Sequence, residues 1–132
     1  MSHYAALDAL NLGYESAFSI GKRVGYRVHG RYLRTLLQLA GLVGASPWTA
    51  LGQVGKLWSR TWDGGGMRVR RTGDKHAKMI VAGTPPCSSA FFRASMSGAV
   101  YAGIAPLCRT CVVTEDERRR RSSSFEMNAR WE

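Results

Sequence analysis

"RRRRSSSFEMNARWE", Arg118 to Glu132, is the stretch on which the reading of the second half of the chain turns. Four consecutive arginines are either a device for gripping phosphate or the polar turn ahead of a final strand. Beyond them the residues alternate. Phe125, Met127, Ala129 and Trp131 fall on one side, and Ser124, Glu126, Asn128 and Arg130 on the other. A period of two with one apolar side is the pattern of a half-buried strand. The preceding "CRTCVVTED" reads as another strand around Cys111 to Thr114, so "ERRRRSS" is expected as the hairpin loop between the two.

Working outward, "AFFRASMSGAVYAGI" (90–104) has helical spacing. It is expected to bury Phe91 or Phe92, Ser95 or Met96, Ala99, Val100 and Ile104, with Ser88 or Ser89 as its cap. Gly98 and the small residues around it allow close packing. Before it, "MRVRR" (67–71) and "KHAKMIVAG" (75–83) alternate with period two about a "TGD" turn. Further upstream the period returns to 3.6. "YAALDALNL" (4–12) reads as a short helix stopped by Gly13, and a second helix begins near Tyr14 or Ser16, with Gly21 or Gly25 as a break. Val28, Tyr32, Leu36, Leu39 and Val43 then form a stripe, with Arg27, Arg31 and Arg34 mostly behind it. Ser46 and Pro47 open a helix that carries Leu51, Val54, Leu57, Trp58 and Trp62 and ends at "DGGG" (63–66). The expectation is an α+β fold: N-terminal helices followed by β-β-α-β-β, a four-stranded antiparallel sheet with helices packed on it, in one domain over residues 1–132.

Composition narrows the function classes. With 45% hydrophobic and 21% charged residues in 132, the chain is globular and can bury a core. No apolar run reaches the roughly 18 residues of a membrane span, and "MSHYAALDAL" lacks the pattern of a signal peptide. Three cysteines make no disulfide framework and fit a reducing compartment. A cytoplasmic protein is expected. The net charge of +10 favours acidic partners, nucleic acid before anionic membrane surface. The Ala/Gly/Arg-rich composition also follows from a GC-rich genome, with no partner implied.

Chemistry-bearing motifs are sparse. Arg118, Arg119, Arg120 and Arg121 are candidates for anion or nucleic-acid contact. They come without the recognition helix or stacking aromatics that specific readers add, so a solvated loop is the plainer reading. Cys108 and Cys111 form a CxxC that leads into a strand rather than a helix N-terminus, where thiol pKa values are lowered. A structural zinc needs four ligands; Cys87 and His76 could complete a set, but no second paired motif supports them. His3, His29 and His76 stand far apart without a local acid or nucleophile, and no carboxylate pair is evident. No catalytic residue, metal or cofactor is expected.

The segments "GKRVGYRVHGRYLRTLLQLAG", "SPWTALGQVGKLWSRTW" and "FFRASMSGAVYAGI…FEMNARWE" carry a resemblance. Gly30, Arg31 and Leu33 in "G-R-x-L" positions, Gly98 with Gly103, and the ending Phe125, Trp131 and Glu132 resemble a family of uncharacterised paralogous proteins in myxobacteria. The element order is also similar to a larger ligand-binding superfamily. It includes haem–nitric-oxide sensors, vinyl-reductase-type effector domains and a trafficking subunit. That likeness implies an apolar ligand held between helices and a twisted antiparallel sheet. The Tyr-x-Ser-x-Arg motif of the haem sensors is missing, and "ERRRRSSS" stands where the effector-domain branch places its zinc cysteines.

The leading expectation is therefore a non-catalytic sensory or adaptor domain that binds a small apolar ligand or a protein partner. Leu36, Trp58, Trp62, Met79, Phe92 and Met96 are the candidate ligand residues, although the same residues could simply fill the core. The alternative is a basic nucleic-acid-binding module using the arginine-rich hairpin. A homodimer, if formed, is expected through the Trp48 to Trp62 segment, because Trp48 lies about 80° around a helix from Trp58. The final strand, were it a sheet edge, would be shielded by the arginine loop and its own polar face.

Overall fold

The computed structural model of the chain describes residues 13–27, 46–48, 50–52, 66–83, 85–121 and 123–132. The expected helix at 4–12, the apolar stripe from Val28 to Val43 and the helix beyond residue 52 lie outside the described residues.

Four strands form one antiparallel sheet: β1 (Gly66–Gly73), β2 (His76–Ala82), β3 (Cys111–Arg121) and β4 (Ser124–Trp131), in the order β1-β2-β4-β3. Among the described residues, helix α1 (residues 14–27) and helix α2 (Ala90–Ile104) lie alongside, the latter flanked by short 3₁₀ turns at Pro85–Ser88 and Ala105–Leu107, and residues 47–48 and 50–52 are also helical. The fold is the α+β arrangement that the hydrophobic periods predict. Of the two cap candidates Ser89 serves: its hydroxyl accepts the Phe92 N–H at 3.2 Å, satisfying one of the first-turn amides that an α-helix leaves without a partner.

Three details differ from the sequence reading. β4 is no edge: it lies between β2 and β3, and β1 and β3 are the outer strands. The first hairpin turn falls at Asp74 and Lys75, later than "TGD", because β1 continues to Gly73 through an irregularity of register after Arg71. The arginine run is not wholly a loop: β3 extends through Arg121, which pairs with Ser124 across the turn, while residues 117–120 fall in a register irregularity with no partner on β4. An outer strand has one unpaired side facing water, so charged side chains are tolerated there and discourage pairing with other chains.

Gly21 and Gly25 do not break α1, for a tertiary reason. A Cβ on Gly21 would strike the Ser95 carbonyl of α2, and one on Gly25 would stand 2.8 Å from the Ala102 Cβ. From the other side, a Cβ on Gly98 would strike the Phe18 carbonyl. The glycines let the two helices meet backbone to backbone. Tyr101 closes the contact, with Phe18 edge-on at 5.7 Å between ring centroids and the Lys22 ammonium 5.0 Å over its ring.

The core lies between α2 and one face of the sheet. Cross-strand pairs Ala77 with Ala129, Met79 with Met127 and Val81 with Phe125 place six buried side chains in register. Phe92 of α2 meets Phe125 edge to face at 6.1 Å, and Val100, Ile104 and Leu51 fill beside them. Trp48 is used within the chain as well. Its ring packs at 4.9 Å on Trp131, its indole N–H donates to the Asp74 carbonyl at 3.0 Å, and the Arg71 guanidinium covers it at 4.9 Å. These contacts take the residue on which the expected helical dimer interface was argued; Trp58 and Trp62 lie outside the described residues.

Candidate functional site

The helix–sheet layer brings together half of the expected ligand residues. Met79 of β2 and Phe92 of α2 are fully buried in one cluster, and Met96 packs against it half-buried. Leu36, Trp58 and Trp62 lie outside the described residues. The Met79–Phe92 part of the layer is close-packed core, as the plain packing reading of these residues holds.

At the edge of this layer stands a buried ionic network that periodicity did not point to. Arg93 of α2 donates through Nε to Glu115 Oε1 at 3.1 Å and through a terminal nitrogen to the Cys87 carbonyl at 2.9 Å. Both ionic side chains are 8% exposed, so the pair is held by mutual neutralisation and these hydrogen bonds rather than by water. Arg120 Nε donates to the second carboxylate oxygen at 2.7 Å. The carboxylate thereby raises the Arg120 pKa further. Ser97 and Glu115 also act on the Tyr14 phenol, whose pKa is raised chiefly by burial. One signal could have exposed this network: Arg93 is the only charged residue in the fifteen of α2.

The four arginines of the candidate anion contact are thus not equivalent. Arg120 is committed to Glu115 and Glu117, while the others are exposed on the outer strand. Arg68 and Arg70 sit on β1, at the opposite edge, three strand spacings or about 14 Å away. The two arginine groups do not merge into one patch.

Cys108 and Cys111 are free thiols held beside each other. Burial, reinforced by the neighbouring Cys108 sulfur, pushes the Cys111 thiol up to about 12, and burial raises Cys108 as well. Both shifts oppose the thiolate needed for redox exchange or metal ligation. Among the described residues, no three His, Cys, Asp or Glu side chains are grouped to hold a metal ion.

The other sheet face is polar. Lys78 lies 3.8 Å from Asp116 Oδ2 and 3.5 Å from Glu126 Oε2, bridging β3 and β4. The latter contact is ionic only, since that carboxylate oxygen accepts no hydrogen bond from a described residue. Next to this triad lies a cleft of about 380 Å³ lined by His76, Val112, Thr114, Asn128 and Arg130, among others.

No family model and no curated protein matches the sequence. Solved structures do match the fold. The chain is similar to an Fe(II) unliganded H-NOX protein mutant from K. algicida, with a TM-score of 0.63 and 8% identity over 95% of this chain and 66% of that one. It is similar to the IWP-051-bound H-NOX from Shewanella woodyi in the Fe(II)CO state, with a TM-score of 0.58, 9% identity and coverage of 100% and 73%. An oxygen-binding H-NOX domain related to soluble guanylate cyclases follows at 0.54, 10%, 87% and 62%. The chain therefore spans less than two thirds of the length of several of these neighbours. At such identities the likeness defines an H-NOX-like α+β fold.

The one histidine among the described residues, His76, is exposed and belongs to the cleft on the open sheet face, away from the helix–sheet layer. His3 and His29 lie outside the described residues.

Proposed function

We propose that this chain is a non-catalytic sensory or adaptor domain that reads a small apolar ligand, other than haem, or a protein partner. The observation that carries the reading is the H-NOX-like topology, in which helices are stacked on one face of an antiparallel sheet. Support comes from Met96, a half-buried, adaptable side chain at the rim of the Met79–Phe92 cluster. The bare-backbone contact of Gly21, Gly25 and Gly98 also supports it, because a shift of α1 would be transmitted to α2 without slack.

The test is native mass spectrometry and absorbance spectroscopy on protein purified from its own host. A stoichiometric apolar adduct, lost in Met96→Glu, is the expected result. No adduct leaves the partner-binding form alone. A haem absorbance band with iron bound would overturn the reading.

A second reading rests on Arg118, Arg119 and Arg121, which project from an outer strand and make no side-chain ion pair among the described residues. It is a basic module that binds nucleic-acid phosphates, with affinity falling steeply as salt rises. Replacing Arg118 to Arg121 with serine would remove low-salt binding to a DNA oligonucleotide if this reading holds. Equal retention by that variant removes it.

A further inference from the structure

We infer that the open face of the sheet holds a binding site for a small oxyanion carrying a short aliphatic body, seated in the cleft between β2, β4 and β3. The site stands on the face opposite the helix–sheet layer and does not depend on the function proposed above.

Register explains the charge. Arg130 of β4 pairs with His76 of β2 on one side and with Val112 of β3 on the other. Neither neighbour can neutralise a guanidinium. In the adjoining row Asn128 lies between Lys78 and Thr114. The two carboxylates further along this face, Asp116 and Glu126, are taken by Lys78. Asp74 at the hairpin turn pairs with Arg71. Glu132, the next residue on this side just past β4, makes no ion pair with it either, so among the described residues no carboxylate is paired with Arg130.

What the cleft offers instead is donors. The guanidinium fork of Arg130, the carboxamide of Asn128, the hydroxyls of Thr72 and Thr114 and the imidazole of His76 all line it. None of these side chains makes a hydrogen bond to another described residue. A planar oxyanion matches the fork in a two-point contact, and the remaining donors can complete its shell. The register irregularity after Arg71 sets Thr72 at the rim, as bulges commonly re-aim a side chain.

The aliphatic part of the assignment comes from Val112. It is 44% exposed, the one exposed large apolar side chain among the described residues of the sheet, and it forms the cleft wall beside Arg130. A volume of about 380 Å³ suits a small molecule rather than a bare ion. Carboxylates and phosphates share the oxyanion chemistry, and the experiment separates them.

The test is an amide NMR titration of the full chain with inorganic phosphate and, separately, with straight-chain carboxylates from acetate to hexanoate. Saturable shifts are expected at the amides of His76, Thr114, Asn128 and Arg130. Affinity should rise along the carboxylate series if the ligand is an aliphatic acid, and phosphate should bind more tightly than acetate if it is a phosphate ester. Arg130→Gln should weaken binding roughly tenfold or more, since a charge-assisted hydrogen bond is lost. Arg23→Gln, the same charge change on α1 and outside the cleft, should leave it intact. Val112→Ser should abolish the dependence on chain length while keeping the headgroup contact, and Arg130→Lys, which keeps the charge without the fork, should bind weakly. Equal weakening by Arg23→Gln and Arg130→Gln, or shifts spread over the arginines of β1 and β3, would reduce the effect to general screening of a basic chain and overturn the site. So would an absence of saturable shifts in the folded wild type.

Discussion

The two faces of this sheet are made by the same strands and obey different physics. Toward α2 stand Met79, Val81, Phe125 and Met127, each without exposed surface. Toward the open side stand Lys78, Asp116, Glu126, His76 and Arg130, joined by ion pairs about 3.5 to 3.8 Å long or by none. One face contributes stability by dehydrating apolar area. The other contributes little stability and retains the donors that make recognition chemistry available. The contrast shows why a search for function along the conspicuous aromatic and methionine residues leads first into core.

Several substitutions would break or sharpen that contrast. On the helix face, Phe125→Ala should cost about 3–5 kcal/mol in denaturant unfolding, because it removes a buried ring in contact with Phe92. Glu115→Ala should approach the same size, about 3–5 kcal/mol, by leaving Arg93 buried without its carboxylate. Were Glu115→Ala to behave like a surface change, the burial of the network would be wrong. Gly98→Ala should cost about 1–3 kcal/mol, since its new methyl meets the Phe18 carbonyl of a neighbouring helix. Thermal unfolding measures it, and a neutral result would mean that α1 can move away freely.

On the open face, Lys78→Met should cost about 1–2 kcal/mol, because it leaves a buried Glu126 oxygen without its counter-charge while the pairs stay partly hydrated. A loss comparable with that of Phe125→Ala would erase the distinction between the faces. A further effect concerns alkaline pH. The Cys111 thiol holds its proton more tightly when folded, with its pKa raised from 9.0 to about 12. Its contribution is complete below pH 9 and is lost as pH rises from there toward 12. The melting temperature should therefore fall across that window, and Cys111→Ser should flatten part of the slope.

Much of the architecture is legible locally. The stretch "AFFRASMSGAVYAGI" matches the helix Ala90–Ile104 residue for residue, and the alternation of Phe125, Met127, Ala129 and Trp131 identifies the buried side of β4. The arginine run misleads because a polar run between two apolar segments resembles a loop, yet on an outer strand water satisfies it equally well. Among the candidate ligand residues, spacing turns Met79 toward the layer between helix and sheet and leaves Phe91 and Phe92 as alternatives, of which the fold buries Phe92. Spacing cannot say that Met79 and Phe92 are core there.

Periodicity resides in neighbours a few residues apart, so the chain's own order of residues suffices for element type, for element order and for which side of each strand is apolar. Strand order and register join residues far apart in the chain. His76 meets Arg130, Arg93 meets Glu115, and Gly21 meets Ser95 only once the chain has folded. The placement of β4 inside the sheet, the unbroken α1, the buried ionic network and the oxyanion cleft belong to that second kind. Each depends on a distance between elements, and no local pattern encodes it.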